Sequence, residues 1–374
     1  MTDREKTIVV WRSAALGDFI LACPALYEIR KNFPDRRVLL LTISSGDKKQ
    51  RDKVEKIYAS STVILPWVEL AKPALVDEYI VLQDTSLASL SNLKKEISKH
   101  EIDFSVIMLD PCAPYLGRLK KILMMKFISP FTKIYGWRSR GSLNSNNKKQ
   151  LKTQGLLKHH VHGPLTFLNE METKHPYPRD SEVKFQLSPS EEDEIWAKNY
   201  LVESDVVNDE FIIFGPGAIH DHKMWPLENF IRLASMLCQD SNYKIIILGT
   251  KQDYSKAESI KGIAPSKICN LAGSTSIGQS AALMKKAKLF IGNDGGAAHL
   301  ADAMGCKCIS IIPGIEYPDS IEPWNSKVLS IREEVYCAPC YNFIACENKE
   351  KFICMKDISV NKVMKNINIV IEMK

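Results

Sequence analysis

The 374-residue sequence lacks any run of about 18 apolar residues, the length that a helix needs to cross a bilayer. Its N-terminus, MTDREKTIVVWRS, has neither a long apolar stretch nor a small-residue cleavage site, so it does not look like a secretory signal. We therefore expect a cytoplasmic protein without a membrane-spanning helix. Hydrophobic residues make up 45% and charged residues 25% of the chain, as in globular proteins that bury full cores.

Acidic residues are missing from one stretch of the chain. Between residues 111 and 169 there is no Asp or Glu, whereas eleven residues there are Lys or Arg. They are Arg118, Lys120, Lys121, Lys126, Lys133, Arg138, Arg140, Lys148, Lys149, Lys152 and Lys158. A block of one charge attracts partners of the opposite charge, so we expect this region to face an anionic ligand. The alternative is a solvated basic face without a partner.

The ten cysteines fall into two groups. Six lie singly or nearly so in apolar surroundings, as reduced and buried thiols do: Cys23, Cys112, Cys238, Cys269, Cys306 and Cys308. The other four form the motif Cys337-x2-Cys340-x5-Cys346-x7-Cys354. Four clustered thiols in a reducing compartment indicate a structural zinc or iron site, with free thiols and disulfides as the alternatives.

Apolar runs typical of strands alternate with helical patterns, and no repeat of short period is present. This alternation predicts an α/β fold with parallel sheets, and the length favours two domains. We place an N-terminal domain at 1–175, a linker at 176–188 and a C-terminal domain at 189–374, which contains the cysteine segment 337–354 and a final helix from Ser359. Strands are predicted at 7–11, 37–43, 62–66 and 104–110, and then at 211–215, 244–249, 267–271, 288–294 and 307–312.

One strand end in the second half has the features of an anion site. The strand ends in Gly292-Asn293-Asp294, and two glycines and a helix of small residues follow. Glycine allows a ligand to approach the backbone, and the free N–H groups of a first helical turn favour negative charge. The alternative is a plain turn in which Asp294 is the N-cap of the helix.

Two further strand ends carry polar residues. Gly-Pro-Gly at 215–217 leads into a loop that contains Lys223, directly ahead of a predicted helix near Pro226. A lysine is unfavourable beside a helix N-terminus unless an anion lies between them; otherwise it is a solvated surface residue. In the first half, Gly17 and Asp18 follow the first strand, where Asp18 could be a general base, an N-cap or both.

Four motifs occur in a fixed order: A-L-G-D at 15–18, P-G-A…K-x-W-P at 216–226, L-A-G-S-T-S at 271–276 and N-D-G-G-A-A-H at 293–299. This ordered set resembles the ADP-heptose:lipopolysaccharide heptosyltransferases, glycosyltransferase family nine, over about residues 7–330. The resemblance implies a GT-B fold, in which two Rossmann-like domains face a central cleft and the C-terminal one binds the sugar donor.

The resemblance also implies roles for individual residues. Asp18 looks like the catalytic base, Lys223 like a ligand of the donor phosphate, and Asp294 like a contact of the donor sugar. The donor site would also include Gly217 and the backbone N–H groups of Gly295, Gly296 and Ala297. The acceptor side would include Gly17, Lys120, Lys121, Arg138 and Arg140.

The implied reaction is an inverting transfer of heptose from ADP-heptose to an anionic glycoconjugate acceptor such as lipopolysaccharide core. The acceptor would be a glycolipid held at the inner face of the membrane, where the enzyme would be peripheral, and nucleic acid is not an expected partner. No D-x-D sequence occurs, so catalysis does not demand a divalent metal. Lys223 and a helix N-terminus would neutralise the leaving group instead.

Two other readings stay open at this stage. A nucleotide-sugar epimerase has a similar fold but needs no second acceptor, and the basic block at 111–169 argues against it. A non-catalytic sugar-nucleotide binding protein would have no need of Asp18 as a base. We also expect His159, His160 and His162 to form a solvated helix face and not a metal site.

Overall fold

The computed structural model describes residues 6–12, 15–43, 59–60, 65–82, 84–108, 115–130, 132–137, 159–171, 173–175, 177–206, 211–240, 243–325, 328–342, 346–348 and 350–372. The chain divides into two compact units, Met1–Leu187 and Ser188–Lys374. Each unit contains one six-stranded sheet. Within the described ranges, no helix is long and apolar enough to cross a membrane.

The first unit is built on a mostly parallel sheet. Its strands are β1 Lys6–Trp11, β2 Arg36–Ile43, β3 Ala59–Ser60, β4 Glu78–Leu82, β5 Ile102–Ile107 and β6 Lys133–Tyr135. Its helices are α1 Leu16–Asn32, α2 Pro66–Glu69, α3 Leu87–Ile97, α4 Tyr115–Ile128 and α5 His162–Leu165, with 3-10 turns at Thr166–Glu170 and Asp180–Glu182. The strand order is β3-β4-β2-β1-β5-β6, and only the β3–β4 pair is antiparallel.

The second unit has an all-parallel sheet. Its strands are β7 Phe211–Gly215, β8 Lys244–Ile247, β9 Ile268–Asn270, β10 Leu289–Asn293, β11 Cys308–Ile311 and β12 Val328–Ile331. Its helices are α6 Glu191–Glu203, α7 Leu227–Asp240, α8 Tyr254–Lys261, α9 Ile277–Lys286, α10 Gly296–Ala303, α11 Ile353–Lys356 and α12 Val360–Glu372, with 3-10 turns at Asp221–Lys223 and Lys251–Asp253. The strand order is β12-β11-β10-β7-β8-β9.

Apolar strands explain why both sheets are covered by helices. All five residues of β7 and of β10 are buried, a pattern that requires packing on both faces of the sheet. In the second unit the last helix, α12, adds Val363, Ile367 and Val370 to the core under the sheet. The final helix therefore packs on the second unit.

Each sheet reverses its strand order at one point. In the first unit the reversal lies between β1 and β5, and in the second it lies between β7 and β10. Loops that leave neighbouring strands in opposite directions open a crevice at this point, where open α/β sheets bind their ligands. The residues that the sequence singled out follow β1, β7 and β10, so the topology places all three segments at such crevices.

Several predicted elements need correction. The strand β4 was missed, because its sequence EYIVL lies in a segment read as polar and helical, and the short strands β6 and β12 were also missed. The strand predicted at 62–66 is wrong at its end, since Pro66 begins α2; residues 61–64 lie outside the described part. Helix α6 begins at Glu191, because Ser190 exchanges capping hydrogen bonds with Asp193.

The histidine cluster also differs from expectation. His162 is buried, and its Nδ1 atom lies 3.0 Å from the hydroxyl oxygen of Tyr177. The prediction of a solvated face is therefore wrong at this position, because a ring that can pair with a tyrosine hydroxyl can be buried without loss. The segment predicted as a linker contributes the buried side chains Val183, Phe185 and Leu187.

Candidate active site

The crevice of the second unit brings the two candidate donor loops together. Strands β7 and β10 are direct neighbours, with Gly215 opposite Gly292 in the register. The loop with Lys223 follows β7, and the loop with Asp294 follows β10, so both leave the same edge of the sheet. Residues separated by about 70 positions in the chain thereby meet at one site.

Lys223 and Asp294 form an ion pair at this site. The Nζ atom of Lys223 lies 2.7 Å from a carboxylate oxygen of Asp294. The aspartate side chain is only 3% exposed, whereas the lysine is 21% exposed and so keeps one side open to solvent. A buried carboxylate is costly unless a cation compensates it, so the pair holds both groups in the crevice without a ligand.

Asn293 ties the two loops to each other, a role that the sequence analysis did not assign. Its side-chain oxygen accepts a hydrogen bond from the backbone N–H of Trp225, and its amide donates to the carbonyl of Pro216. The Trp225 ring is buried and donates its own N–H to the carbonyl of Ile358. Both ends of the lysine loop are therefore fixed, which limits the positions that Lys223 can reach.

Helix α10 begins immediately after the ion pair. Its N-cap is Gly295 and not Asp294, so the alternative reading of Asp294 as a cap is wrong. Gly295 has φ 154° and ψ −169°, a backbone conformation that essentially only glycine adopts. The N–H groups of Gly296 and Ala297 lie in the first turn, where a helix has no internal acceptors for them.

A third loop approaches from β8. Thr250 donates its hydroxyl to Asp253 at 2.7 Å, and the same carboxylate accepts the Thr250 backbone N–H. Gly217 packs against this carboxylate, and a Cβ atom at Gly217 would lie 2.5 Å from its oxygen. Glycine is therefore required at 217 by close approach. The spacing Thr250-x-x-Asp253 is a capping box that could have been recognised in the sequence.

Asp18 lies at the crevice of the first unit. It is the third residue of α1, whose N-cap is Ala15, so Asp18 is not the cap. The guanidinium of the buried Arg12 donates to the backbone carbonyl of Asp18 at 3.0 Å and fixes this turn. Gly17 precedes it in the same turn. The Asp18 side chain is exposed, and within the described residues no group binds its carboxylate.

Of the basic residues assigned to the acceptor, Lys120 and Lys121 lie on α4. Lys120 is exposed and donates to the hydroxyl of Thr85 at 3.1 Å. Arg138 and Arg140 lie outside the described residues. The positions that the structure describes thus gather part of the predicted basic surface on one helix.

The four clustered cysteines line a single cavity of about 470 Å³, which His222 also lines. Two of the sulfur atoms accept hydrogen bonds, Cys337 from the Asn348 amide at 3.2 Å and Cys346 from a backbone N–H at 3.4 Å. Burial raises the pKa of the Cys354 thiol. The described residues contain no group of three or more His, Cys, Asp or Glu side chains arranged to hold a metal ion.

His222 connects this cavity with the lysine loop. It directly precedes Lys223, its ring is buried, and it stacks on His220 with 5.3 Å between the ring centres. Burial, followed by the nearby charge of His220, lowers the pKa of His222. Its Nε2 atom has no hydrogen-bond partner within the described residues.

Comparison with known proteins defines the family. The family model for glycosyltransferase family 9 (heptosyltransferase) matches residues 119–350, more than half of the chain. The chain belongs to this family.

A curated relative is lipooligosaccharide heptosyltransferase 2 of Haemophilus ducreyi, which is 30% identical over 169 residues, or 43% of this chain and 48% of the relative. The chain spans about half or less of the length of the first curated relatives that it matches.

Two solved structures share the fold. The glycosyl transferase family 9 protein of Veillonella parvula has a TM-score of 0.69 and 19% identity, with 98% of this chain and 97% of that one covered. The ADP-heptose lps heptosyltransferase II of E. coli has a TM-score of 0.64 and 17% identity, with 98% of each chain covered. These likenesses place the two α/β units in the GT-B class.

Proposed function

We propose that the protein is an inverting glycosyltransferase that moves heptose from ADP-heptose to an anionic glycoconjugate such as lipopolysaccharide core. The observation that carries the proposal is the site at the β7/β10 crevice. A partly exposed lysine, a buried carboxylate and a helix N-terminus meet there, which are groups suited to a diphosphate and a sugar. Family membership and relatives whose names include heptosyltransferase support this choice of donor.

In the proposed reaction Asp18 acts as the general base. Its carboxylate takes the proton from an acceptor hydroxyl, and the oxygen of that hydroxyl attacks the anomeric carbon of the donor. The bond from this carbon to the diphosphate breaks on the opposite face, so ADP leaves and the anomeric configuration inverts. A base of this kind contributes about 10²–10⁴-fold to the rate.

The second unit would bind the donor and stabilise the leaving group. Lys223 would contact the phosphates, and the backbone N–H groups of Gly295, Gly296 and Ala297 would donate to them. Asp294 would accept hydrogen bonds from sugar hydroxyls. A carboxylate so close to a diphosphate repels it unless hydroxyl groups bind to the carboxylate. Gly217 packs against the Asp253 carboxylate, and its backbone without a side chain would lie beside the donor.

The acceptor is proposed to be a glycolipid at the inner face of the membrane, with the enzyme cytoplasmic and peripheral there. Lys120 and Lys121 on α4, in a stretch without any acidic residue, supply the positive charge that a phosphorylated acceptor requires. Arg138 and Arg140 are proposed to act with them.

A transfer assay separates this function from the two alternatives. We expect the purified protein to release ADP from ADP-heptose at a rate that depends on an added lipopolysaccharide-core acceptor, and to yield a product of inverted anomeric configuration by NMR. An epimerase would convert the donor without any acceptor. A binding protein would shift its melting temperature with the donor but release no ADP. Retention of configuration in the product would contradict the single displacement.

We further propose that the cysteine cavity holds one structural zinc or iron ion, bound by Cys337, Cys340, Cys346 and Cys354. Sulfur atoms that accept N–H groups, and a buried histidine nitrogen without a partner on the same cavity wall, fit a metal–thiolate site. Binding would require the four side chains to move together, because they do not stand in ligand positions now. The ion would stabilise the fold next to His222 and take no part in transfer.

Elemental analysis tests this site. We expect about one zinc or iron per chain in protein prepared without chelators, and Cys340→Ser is expected to lose the metal and melt at a lower temperature. Cys238→Ser serves as the control, because Cys238 is a single thiol on α7 in the same unit. A metal content near zero in the unmodified protein would contradict the metal site and leave free thiols or disulfides.

A further inference from the structure

Helix α4 has two faces in opposite environments. Met125 and Ile128 are buried in the core of the first unit. On the other face four large apolar side chains are exposed: Leu116 by 77%, Leu119 by 40%, Leu123 by 61% and Phe127 by 43%. Their spacing of three to four residues places them in one line along the helix, so they form a continuous apolar stripe that faces solvent.

Positive charge borders this stripe on both sides. At 100° per residue, Lys120 lies along one edge and Lys126 along the other. Lys120 donates to the Thr85 hydroxyl and Lys126 to the Thr132 carbonyl, so within the described residues neither ammonium is neutralised by a carboxylate. On the neighbouring helix α3, Lys94 lies 5.0 Å from the centre of the Phe127 ring.

This combination indicates the kind of partner. A helix that lies in the interface of a bilayer has an apolar face of residues such as leucine and phenylalanine, with lysines along its edges. Helix α4 has this arrangement, and it contains no acidic residue. The core of a protein–protein interface is depleted of lysine, and its partner would have to bury the stripe among matching side chains. An anionic lipid surface satisfies both the apolar stripe and the two uncompensated ammonium groups.

We propose that α4 docks the first unit on a membrane surface that contains anionic lipids. Leu116, Leu123 and Phe127 enter the boundary of the acyl chains, while Lys120 and Lys126 meet the headgroup phosphates. The inference rests on the proposed function in one respect: docking of α4 would bring the enzyme to its membrane-held acceptor. Lipid binding itself requires neither donor nor acceptor.

Vesicle flotation tests the surface without any transfer reaction. Wild-type protein is expected to float with vesicles of phosphatidylglycerol and phosphatidylcholine that contain no glycolipid, and to stay unbound with pure phosphatidylcholine. The double variant Leu123→Ser/Phe127→Ser is expected to bind at least about tenfold more weakly, because it loses most of the inserted apolar area. The matched control is Val202→Ser/Ile369→Ser, which removes two exposed apolar side chains from the second unit and should bind as the wild type does.

The charged edges have their own variant. Lys120→Gln/Lys126→Gln is expected to weaken binding by about fivefold for each lysine, with a shallower dependence on salt. Lys120, Leu123, Lys126 and Phe127 are all exposed, so the melting temperatures of both double variants should stay unchanged. The inference is overturned if the wild type ignores anionic vesicles, or if the Leu123/Phe127 variant still binds them fully. It is also overturned if that variant only converts a self-associated protein into a monomer, since a second copy would then cover the stripe.

Discussion

Asp18→Asn is expected to lower the turnover number of sugar transfer by at least about 100-fold, while the affinity for the donor stays near that of the wild type. An amide has almost the same shape as a carboxylate but cannot accept the proton of the acceptor hydroxyl. Arg12 donates a hydrogen bond to the backbone carbonyl of Asp18 and so fixes this turn of the chain. The Asp18 side chain is exposed, so its carboxylate is accessible to a substrate.

A structural effect must be separated from a catalytic one, because an acidic residue in the first turn of a helix also stabilises that helix by about 0.3–1 kcal/mol. Asp193→Asn is the matched control. Asp193 likewise lies in a first turn, where it completes the capping box of α6 with Ser190. That variant should lose stability and keep its turnover number under saturating substrate. An Asp18→Asn enzyme that retains more than about a third of its rate when chemistry is limiting would remove Asp18 from the role of base.

Most of the second unit could be predicted from the sequence, because its strands are short apolar runs, and β7, β9 and β10 end at glycine or asparagine. The five strands predicted there form at the expected places, and Ser276 caps α9 through a capping box with Gln279, a spacing that the sequence displays. The strands β4, β6 and β12 were harder to predict for a common reason. Each depends on its neighbours in the sheet more than on its own pattern, and β12 is only partly buried.

For the candidate site, sequence motifs identified side chains but not the contacts between them. Lys223 and Asp294 were assigned separate roles, and their direct pairing follows only from the adjacency of β7 and β10. Asn293 was passed over because an asparagine at a strand end looks like an ordinary turn residue. Its hydrogen bonds to residues about 70 positions away depend on a strand order that no local pattern encodes.

The ion pair changes what replacement of Lys223 should do to donor binding. A charge-assisted contact of a lysine with a phosphate contributes about 1.5–3 kcal/mol, so its loss would weaken nucleotide-diphosphate binding by about 10–150-fold. Lys223→Ala also leaves Asp294 as an uncompensated buried charge next to the phosphates. This repulsion acts in the same direction, so we expect an effect at the upper end of that range.

The partner variant should act in the opposite direction. Asp294→Asn removes the carboxylate that competes with phosphate for Lys223, so ADP is expected to bind more tightly than to the wild type. Transfer should nevertheless slow, because the proposed contact of Asp294 with sugar hydroxyls is weakened. If the ion pair only stabilised the fold, Lys223→Ala and Asp294→Asn would both lower the affinity for ADP. Opposite effects of the two variants would therefore indicate that Lys223 contacts the phosphates.

Calorimetry with ADP, AMP and adenosine on Lys223→Ala and Asp294→Asn decides the matter. Lys223→Ala should bind ADP far more weakly and adenosine almost normally, because the nucleoside has no phosphate for the lysine to contact. Lys285→Ala is the control: it breaks the surface pair with Glu194, 2.8 Å apart, and should leave all three affinities unchanged. Equal losses for adenosine and ADP would assign Lys223 to the fold alone, and unchanged ADP binding would move the donor site away from the β7/β10 crevice.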